Sequence, residues 1–466
     1  MGSWLKKEML FVSFFAFGIF ATIVHGDTNL DVQIPVTRPG PSYLEGTLRL
    51  PSTSSTSMAV PGVVLIHGSG PQNRDAVMAG QLNMIFPSSV LVFRDIGEAL
   101  QQKGIAVLTY DKRTCGTFNL CSSNNSYPIP FDNITVDSFL EDAYDAVKFL
   151  QSRSEIQSDQ VVVVGHSQSG SFVPILLQRQ PDLYGGVILA GPYRQVDDVF
   201  QHQYDSTIEL LETSGVSEQD ALATIPGVAG LLDIANQLHD LYDAFQNGDE
   251  NGGGMDVNST NSTNATTTAS DEVAGASIEF WNSWFDVVDR SKEAALDLSP
   301  DQHVLILSGE FDWNVPVQDA LDWYSYMTDN GSSPSNNVEI VTLPCITHAM
   351  NCVNVTDGTA SPNVSSVVIE TLASFILSSV DDDAGGGDES GVVDSDNPVA
   401  SAPASSPTTT NIQDSSTGED SSTPASAPSS GQSDGASDSS AFDSTIRFDW
   451  TSTTLMLLSG FCSVFL

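Results

Sequence analysis

The stretch VVVVGHSQSG, residues 161–170, decides the fold prediction. Four consecutive valines predict a strand buried on both faces of a parallel sheet, and the small residues after them predict a sharp turn into a helix. Such a turn places Ser167 at its apex, with the hydroxyl projecting from the sheet edge. The stretch departs from the usual G-x-S-x-G pattern, because Ser169 replaces the second glycine and Gly170 follows, but serine is small enough to fit. The alternative role for Ser167 is a simple helix cap.

Strands and helices are predicted to alternate on both sides of this turn. Short apolar runs predict strands at residues 44–50, 62–68, 105–111, 161–167, 185–191, 304–310 and 338–344. Amphipathic segments predict helices at residues 92–102, 136–150, 172–179, 317–327 and 364–377. This alternation predicts an α/β fold, with a mostly parallel sheet covered by helices on both faces.

The predicted core comprises residues 27–192 and 302–380, and the interval 193–301 interrupts its alternation of strands and helices. The interval contains no strand-like run, and it is predicted to form a helical insertion with a glycosylated loop at residues 247–276. Insertions of this kind commonly act as lids over an active site. Its large apolar side chains are expected to form the lid core more often than an acyl pocket: Phe200, Leu210, Leu231, Trp281 and Trp284.

Residues 1–26 have the pattern of a secretory signal peptide. Lys6 and Lys7 precede an apolar run at residues 9–24, and short residues end at Gly26, where cleavage is expected. The alternative is an uncleaved membrane anchor, but the run is shorter than the ~20 residues that a spanning helix needs. The sequence therefore predicts entry into the secretory pathway.

The C-terminal end predicts a disordered stalk and a lipid anchor. Residues 381–440 are rich in Ser, Thr, Pro, Ala, Gly and Asp, and they contain too few apolar residues to form a core. Residues 441–466 end in a short apolar tail, which is typical of a GPI-attachment signal, with Ser439 as the candidate attachment residue. The alternative is an unprocessed apolar terminus. The predicted location is the cell surface, through a lipid anchor, or the extracellular space.

Glycosylation and disulfide candidates agree with export. Eight asparagines lie in N-x-S/T sequons: Asn124, Asn133, Asn258, Asn261, Asn264, Asn330, Asn354 and Asn363. Of the five cysteines, Cys462 lies in the predicted GPI signal. The other four favour two short local pairs, Cys115 with Cys121 and Cys345 with Cys352, over four free buried thiols.

The composition excludes nucleic acid as a partner. The chain has 16 Lys and Arg against 59 Asp and Glu, a formal net charge of −43, whereas phosphate binding needs clustered basic residues. No His, Cys and carboxylate cluster has the spacing of a metal site, so neither a metal nor an organic cofactor is predicted. The oligomeric state stays open.

A serine nucleophile needs a base and an orienting acid. Elimination among the seven histidines leaves His348, in the loop after the last predicted strand, where ligands bind in open α/β sheets. Asp312 follows the preceding strand and is the candidate acid, with Glu310 as the alternative. The chain order Ser167, Asp312, His348 is that of the α/β-hydrolases.

Two backbone N–H groups are candidate oxyanion donors. The Gly-rich turn HGSGP, residues 67–71, follows an early buried strand and can direct the N–H of Ser69 toward the same point as the N–H of Gln168. Donors placed in this way stabilise the tetrahedral intermediate of acyl transfer. The alternative is an ordinary tight turn.

Six stretches resemble one family of enzymes. They are VVLIHGSGPQNRD (63–75), LTYDKRTCG (108–116), VVGHSQSG (163–170), VILAGPYRQVDDVF (187–200), VLILSGEFDWNVP (304–316) and LPCITHAMN (343–351). Together they resemble the α/β-hydrolases grouped with serine aminopeptidase-like and dienelactone hydrolase-like esterases, over roughly residues 31–380. The resemblance implies Ser167 as nucleophile, Asp312 as acid, His348 as base, and Ser69 with Gln168 as oxyanion donors.

The predicted function is hydrolysis of a carboxylic ester, or a related acyl bond, in a small-molecule substrate through an acyl-enzyme. A peptidase similar to serine aminopeptidases is the first alternative, because the resemblance leaves the substrate open. The alternative from another class is a surface binding protein that keeps the hydrolase scaffold without turnover.

Overall fold

The computed structural model describes residues 27–38, 40–52, 59–78, 89–118, 120–122, 134–247, 272–330, 337–354 and 359–382. The predicted signal peptide, GPI signal and attachment residue Ser439 lie outside these residues, and so does the predicted stalk except for residues 381 and 382, which end a helix. Five of the candidate glycosylation sites also lie outside them: Asn124, Asn133, Asn258, Asn261 and Asn264. These assignments stay predictions.

The described residues contain fourteen strands and nine α-helices. The strands are β1 (Thr28–Pro35), β2 (Tyr43–Leu50), β3 (Val60–Ile66), β4 (Val77–Met78), β5 (Val90–Leu91), β6 (Ala106–Tyr110), β7 (Ile156–His166), β8 (Gly185–Leu189), β9 (Glu272–Val273), β10 (Ala276–Ser277), β11 (His303–Gly309), β12 (Val338–Leu343), β13 (Val353–Asn354) and β14 (Thr359–Ala360). The helices are α1 (Val92–Gln102), α2 (Val136–Gln151), α3 (Phe172–Arg179), α4 (Val196–Thr213), α5 (Glu218–Thr224), α6 (Pro226–Gln246), α7 (Ile278–Ala295), α8 (Val317–Asn330) and α9 (Ser366–Asp382).

Eight of these strands form one sheet in the order β1-β2-β6-β3-β7-β8-β11-β12. The six strands from β6 to β12 are mutually parallel, and β2 is antiparallel to both of its neighbours. β7 is central: Gly165 pairs with Ile66 of β3 on one side and with Ile188 of β8 on the other. The sheet and its flanking helices confirm the predicted α/β-hydrolase fold.

The valine run of β7 shows how the sheet is covered on both faces. Successive side chains of a strand point to opposite faces, so Val161 and Val163 enter one apolar cluster while Val162 and Val164 enter the other. The first cluster packs against α2, α3 and α8, and the second packs against α1 and α9. All four valines are fully buried. The sheet therefore lies between two apolar layers, which hold the ends of its parallel strands in place.

The seven predicted sheet strands appear as β2, β3, β6, β7, β8, β11 and β12. The eighth, β1, was absent from the prediction, which relied on short continuous apolar runs. It pairs with β2 at the edge of the sheet. Its sequence TNLDVQIP instead alternates Leu30, Val32 and Ile34 with polar residues, and this period of two was the available signal.

Four helices, α4 to α7, lie between β8 and β11. The interval 193–301, predicted as a helical insertion, also contains a short antiparallel hairpin, in which β9 pairs with β10 at residues 272–277. Strands of two residues are too short to give a periodic pattern. Among the described residues no single helix is long and apolar enough to cross a membrane. Helix α5 and residues 227–246 of α6 have that length and composition only when they are taken together, and the two are bent by 100°.

Candidate active site

The turn after β7 holds Ser167 in a strained conformation. Its φ of 57° lies in the left-handed region, which a non-glycine residue rarely adopts outside functional turns. A Cβ on Gly165 would lie 2.1 Å from the carbonyl oxygen of Ser169, so the turn requires glycine there. The hydroxyl of Ser169 donates to the carbonyl of Ile66 at 2.7 Å. The departure from G-x-S-x-G therefore adds a bond between the turn and β3.

Three side chains from the ends of three strands form a continuous hydrogen-bonded chain. Nε2 of His348 lies 3.0 Å from Oγ of Ser167, and Nδ1 of His348 lies 2.8 Å from Oδ2 of Asp312. A carboxylate only accepts hydrogen bonds, so Nδ1 donates and Nε2 is free to accept the serine proton. The structure thus brings together the three residues that the sequence selected.

Backbone amides hold the acid in place. Oδ1 of Asp312 accepts hydrogen bonds from the amides of Asn314 and Val315, both at 3.0 Å, and the carboxylate is buried. Glu310, the alternative acid, is exposed, and its Oε1 accepts a bond from the Thr342 hydroxyl at 3.4 Å. The structure therefore brings Asp312, and not Glu310, to the imidazole.

Two disulfides close short loops next to the sheet edge. Cys345 is bonded to Cys352, around the loop that carries His348, and Cys115 is bonded to Cys121. Both predicted pairings are confirmed. The first bridge ties together the two ends of the segment that holds the imidazole, which limits how far that segment can move.

A second histidine, His166, supports the backbone of His348. Nε2 of His166 donates to the backbone carbonyl of His348 at 2.9 Å, and the two rings are 4.9 Å apart. Burial, and secondarily the neighbouring His348 ring, lowers the pKa of His166 to about 3, so this imidazole stays neutral near pH 7. His67, also buried, donates to the carbonyl of Asn73 at 2.9 Å, and burial lowers its pKa to about 3. Neither histidine contacts the Ser167 hydroxyl.

The turn after β3 lies against Ser167. A Cβ on Gly68 would be 2.8 Å from the Cβ of Ser167, so glycine is needed for this close approach. Nζ of Lys112 donates to the carbonyls of Gly68 and Gly70 at 2.7 and 3.0 Å. The C=O and N–H of a trans peptide point in opposite directions, so fixing the Gly68 carbonyl directs the N–H of Ser69 away from Lys112.

Lys112 is buried in an unusual setting. Its ammonium lies 4.1 Å from the centre of the Phe139 ring, and burial lowers its pKa to about 7, against the opposing effect of Asp142. Asp142 itself accepts a hydrogen bond from Nε of Arg113 at 2.7 Å. The sequence analysis quoted the stretch LTYDKRTCG but assigned no role to its lysine. Charged residues directly after a buried strand were the available signal.

A cleft that is partly open to solvent is lined by Ser167 and His348. Its lid side is apolar and includes Val196, Val199, Phe200 and Trp284. Its polar side chains include Gln72, Gln168, Arg194 and Gln203. Of the apolar lid residues named from the sequence, Phe200 and Trp284 line the cleft, whereas Leu231 and Trp281 are buried in the first apolar cluster and Leu210 is half-buried.

The sequence profile described as "Serine aminopeptidase, S33" matches residues 87–350, which is more than half of the chain and includes Ser167, Asp312 and His348. The chain belongs to this family. The family and the fold agree with the resemblance that the sequence motifs indicated.

Known proteins similar to this serine aminopeptidase S33 family member include an esterase. Esterase EstD of Thermotoga maritima is 32% identical over 176 residues, which are 38% of this chain and 37% of that esterase. The chain thus matches little more than a third of this relative's length. Among solved structures, Est1E from Butyrivibrio proteoclasticus is 13% identical, with a TM-score of 0.41 over 75% of this chain and 99% of that one. Dienelactone hydrolase from Anabaena variabilis is 13% identical, with a TM-score of 0.38 over 76% and 99%.

Proposed function

We propose that the protein is a serine hydrolase that cleaves carboxylic esters through an acyl-enzyme on Ser167. The observation that carries the proposal is the hydrogen-bonded chain from the Ser167 hydroxyl through His348 to the buried carboxylate of Asp312. This arrangement lets a weak nucleophile lose its proton at the moment of attack. A strained serine at the end of a central strand is typical of the nucleophile in this fold.

Each half-reaction moves one proton through His348. Nε2 takes the Ser167 proton as Oγ attacks the ester carbonyl carbon, and the N–H groups of Ser69 and Gln168 bind the oxyanion. The imidazolium, stabilised by Asp312, then gives the proton to the departing alkoxide, which leaves as the alcohol. Water repeats these steps on the acyl-enzyme and releases the carboxylic acid.

The cleft favours ester cleavage over removal of an N-terminal amino acid. None of the described residues that line it is acidic, whereas a free α-ammonium group needs a nearby carboxylate when it is taken out of water. Arg194, the one arginine or lysine among the described lining residues, is paired with the buried carboxylate of Asp319 at 2.9 Å. A panel of p-nitrophenyl esters and aminoacyl anilides should therefore show turnover of the esters, and faster turnover of the anilides would contradict this choice.

A fluorophosphonate probe tests the proposed nucleophile. The wild-type protein should be labelled covalently, and Ser167→Ala should lose both labelling and ester turnover. Ser171→Ala is the matched control, because this serine lies in the same turn and is buried but does not line the cleft. Absence of labelling in the wild type, or full labelling of Ser167→Ala, would refute the proposal and leave the surface binding protein as the better description.

We further propose that the protein is exported and held at the cell surface by a GPI anchor. Two disulfides support an oxidising compartment, and the candidate glycosylation residues Asn354 and Asn363 are exposed. Phosphatidylinositol-specific phospholipase C should release the protein from intact cells, and peptide N-glycosidase should lower its apparent mass. Retention on the cells together with an unchanged mass would contradict the proposal.

A further inference from the structure

Three glutamines stand out among the polar groups of the cleft. Gln168 and Gln203 are 2% and 8% exposed, and Gln72 is half-buried. Both side-chain polar atoms of Gln168, and Oε1 of Gln72 and of Gln203, are buried and have no hydrogen-bond partner within the described part of the chain. A buried carboxamide without a partner costs on the order of 1–3 kcal/mol. These side chains therefore lie where a ligand can supply the missing bonds.

The existing bonds identify which atoms remain available. Nε2 of Gln72 donates to the carbonyl of Ser69 at 3.2 Å, and Nε2 of Gln203 donates to the carbonyl of Asn314 at 3.4 Å. A carbonyl only accepts, so in each case the nitrogen faces it and the oxygen is the unpaired atom. The unpaired atoms are thus the carboxamide oxygens of Gln72 and Gln203 and the whole carboxamide of Gln168, on three residues that line the cleft.

The cleft has few uncompensated charges to go with these acceptors. Arg194 is bonded to Asp319 through Nε, at 3.1 and 3.0 Å to the two carboxylate oxygens. The lid helices α4 and α7 contribute the apolar side chains of Val196, Val199, Phe200 and Trp284. A matching substrate is therefore a neutral molecule with an apolar side and a hydrogen-bond donor.

We propose that the carboxamides of Gln72, Gln168 and Gln203 bind an N–H or O–H donor in the acyl part of the substrate, close to the scissile carbonyl. The preferred substrates are then amide- or hydroxyl-bearing esters, not esters of simple alkanoic acids. This inference rests on the proposed ester hydrolysis. Gln168 adjoins Ser167 in the chain, so a group that its carboxamide reaches lies within a few atoms of the acyl carbon.

Two pairs of isosteric p-nitrophenyl esters test the inference. The ester of N-acetylglycine is compared with that of 4-methylpentanoic acid, and the ester of 3-hydroxybutanoic acid with that of 3-methylbutanoic acid. Each kcat/KM is divided by the rate constant for hydroxide hydrolysis, which removes the difference in intrinsic reactivity. At least one pair should favour the donor-bearing ester by about tenfold or more, as expected for one to two hydrogen bonds. The pair that responds identifies the donor as an N–H or an O–H group.

Substitution of the glutamines shows which of them causes the preference for the donor-bearing ester. Gln203→Leu and Gln168→Leu should each bring the ratio within a pair toward one, because they remove the polar partner of the donor. The matched control is Gln160→Leu. Gln160 is also buried, with an unpaired Oε1, but it lies six residues before His166 on β7, about 20 Å along the strand. In Gln160→Leu, the ratio of kcat/KM values within each pair of esters should equal that of the wild type.

The outcomes separate this inference from the proposed function. Ratios near one for both pairs, in protein that the fluorophosphonate labels at Ser167, would overturn the inference and leave the proposed hydrolase standing. The inference also fails if labelled protein turns over none of the four esters, or if a high ratio survives in both glutamine variants. Should Gln168→Leu fail to fold, Gln203→Leu alone decides. Loss of labelling in the wild type would remove both proposals.

Discussion

The two walls of the cleft are built on different principles. On the sheet wall, Ser167, Asp312 and His348 stand at the ends of strands, and each is linked to the next by a hydrogen bond. On the lid wall, the helices α4 and α7 present apolar side chains together with the unpaired carboxamide oxygen of Gln203. The triad on the sheet wall is already linked by hydrogen bonds, whereas Gln203 on the lid wall, like Gln168 next to Ser167, has carboxamide atoms without a partner among the described residues.

This difference separates chemistry from recognition. The sheet wall is fixed by backbone close approaches, such as that of Gly68 to Ser167, which leave little freedom in the position of the nucleophile. The lid is joined to the core by side-chain contacts, for example the bond of 2.6 Å between Arg290 on α7 and Asp137 on α2. We therefore expect substitutions in the triad or its supports to lower the rate for every substrate, and substitutions of side chains that only line the cleft to change the ranking of substrates.

The largest effect is expected for Asp312→Asn. Asparagine can keep the amide bonds to Asn314 and Val315, but its carboxamide cannot stabilise an imidazolium and favours the wrong tautomer of His348. The fall in kcat should be about 10⁴-fold, equal for short and long acyl esters. Steady-state kinetics on an acetate and an octanoate ester measures it. Glu310→Gln is the control and should retain activity; a larger loss in that variant would return the acid role to Glu310.

The sequence predicted the sheet wall better than the lid wall for a physical reason. Strand ends and Gly-rich turns leave local signatures, so Ser167, Asp312 and His348 were identified from chain order and placement alone. The bond from His166 to the His348 carbonyl joins residues 182 positions apart, and nothing local encodes it. The sequence analysis gave His166 no role, whereas its ring supports the backbone of His348.

The lid was less predictable because its helices have apolar residues on more than one face. Trp281 and Trp284 are stacked at 5.6 Å, yet Trp284 lines the cleft and Trp281 does not. Which of two neighbouring tryptophans faces a substrate depends on how α7 docks against α3 and α6, and this is a property of the assembled core. The sequence could therefore name the apolar residues of the lid but could not sort them.

An intermediate effect is expected for Lys112→Met on the sheet wall. Methionine fills similar space but releases the carbonyls of Gly68 and Gly70, so the N–H of Ser69 loses its fixed direction. Loss of an oxyanion donor costs about 10²–10³-fold, and partial misdirection should lower kcat about 10- to 100-fold with little change in KM. The rate of fluorophosphonate labelling should fall in parallel. Lys103→Met is the control, because this half-buried lysine pairs with Glu370 outside the cleft.

A purely structural role for Lys112 predicts a different pattern. The variant would then lose thermal stability, but its folded fraction, counted by active-site titration, would keep the wild-type kcat. Measuring the melting temperature and kcat per labelled site on the same preparation separates the two roles. A parallel fall in kcat for the acetate and octanoate esters would place Lys112 with the sheet wall.

The smallest effect is expected for Val199→Ala on the lid wall. Val199 lines the cleft and is half-buried, so the truncation removes two methyl groups from the apolar wall with little cost to the core. At ~25 cal/mol per Å² of apolar contact, kcat/KM for an octanoate ester should fall about two- to fivefold, while that for an acetate ester stays constant. Leu210→Ala is the matched control, because Leu210 is half-buried on the same helix but does not line the cleft. An equal fall for both esters would show that α4 acts on the chemistry, and the distinction between the two walls would then fail.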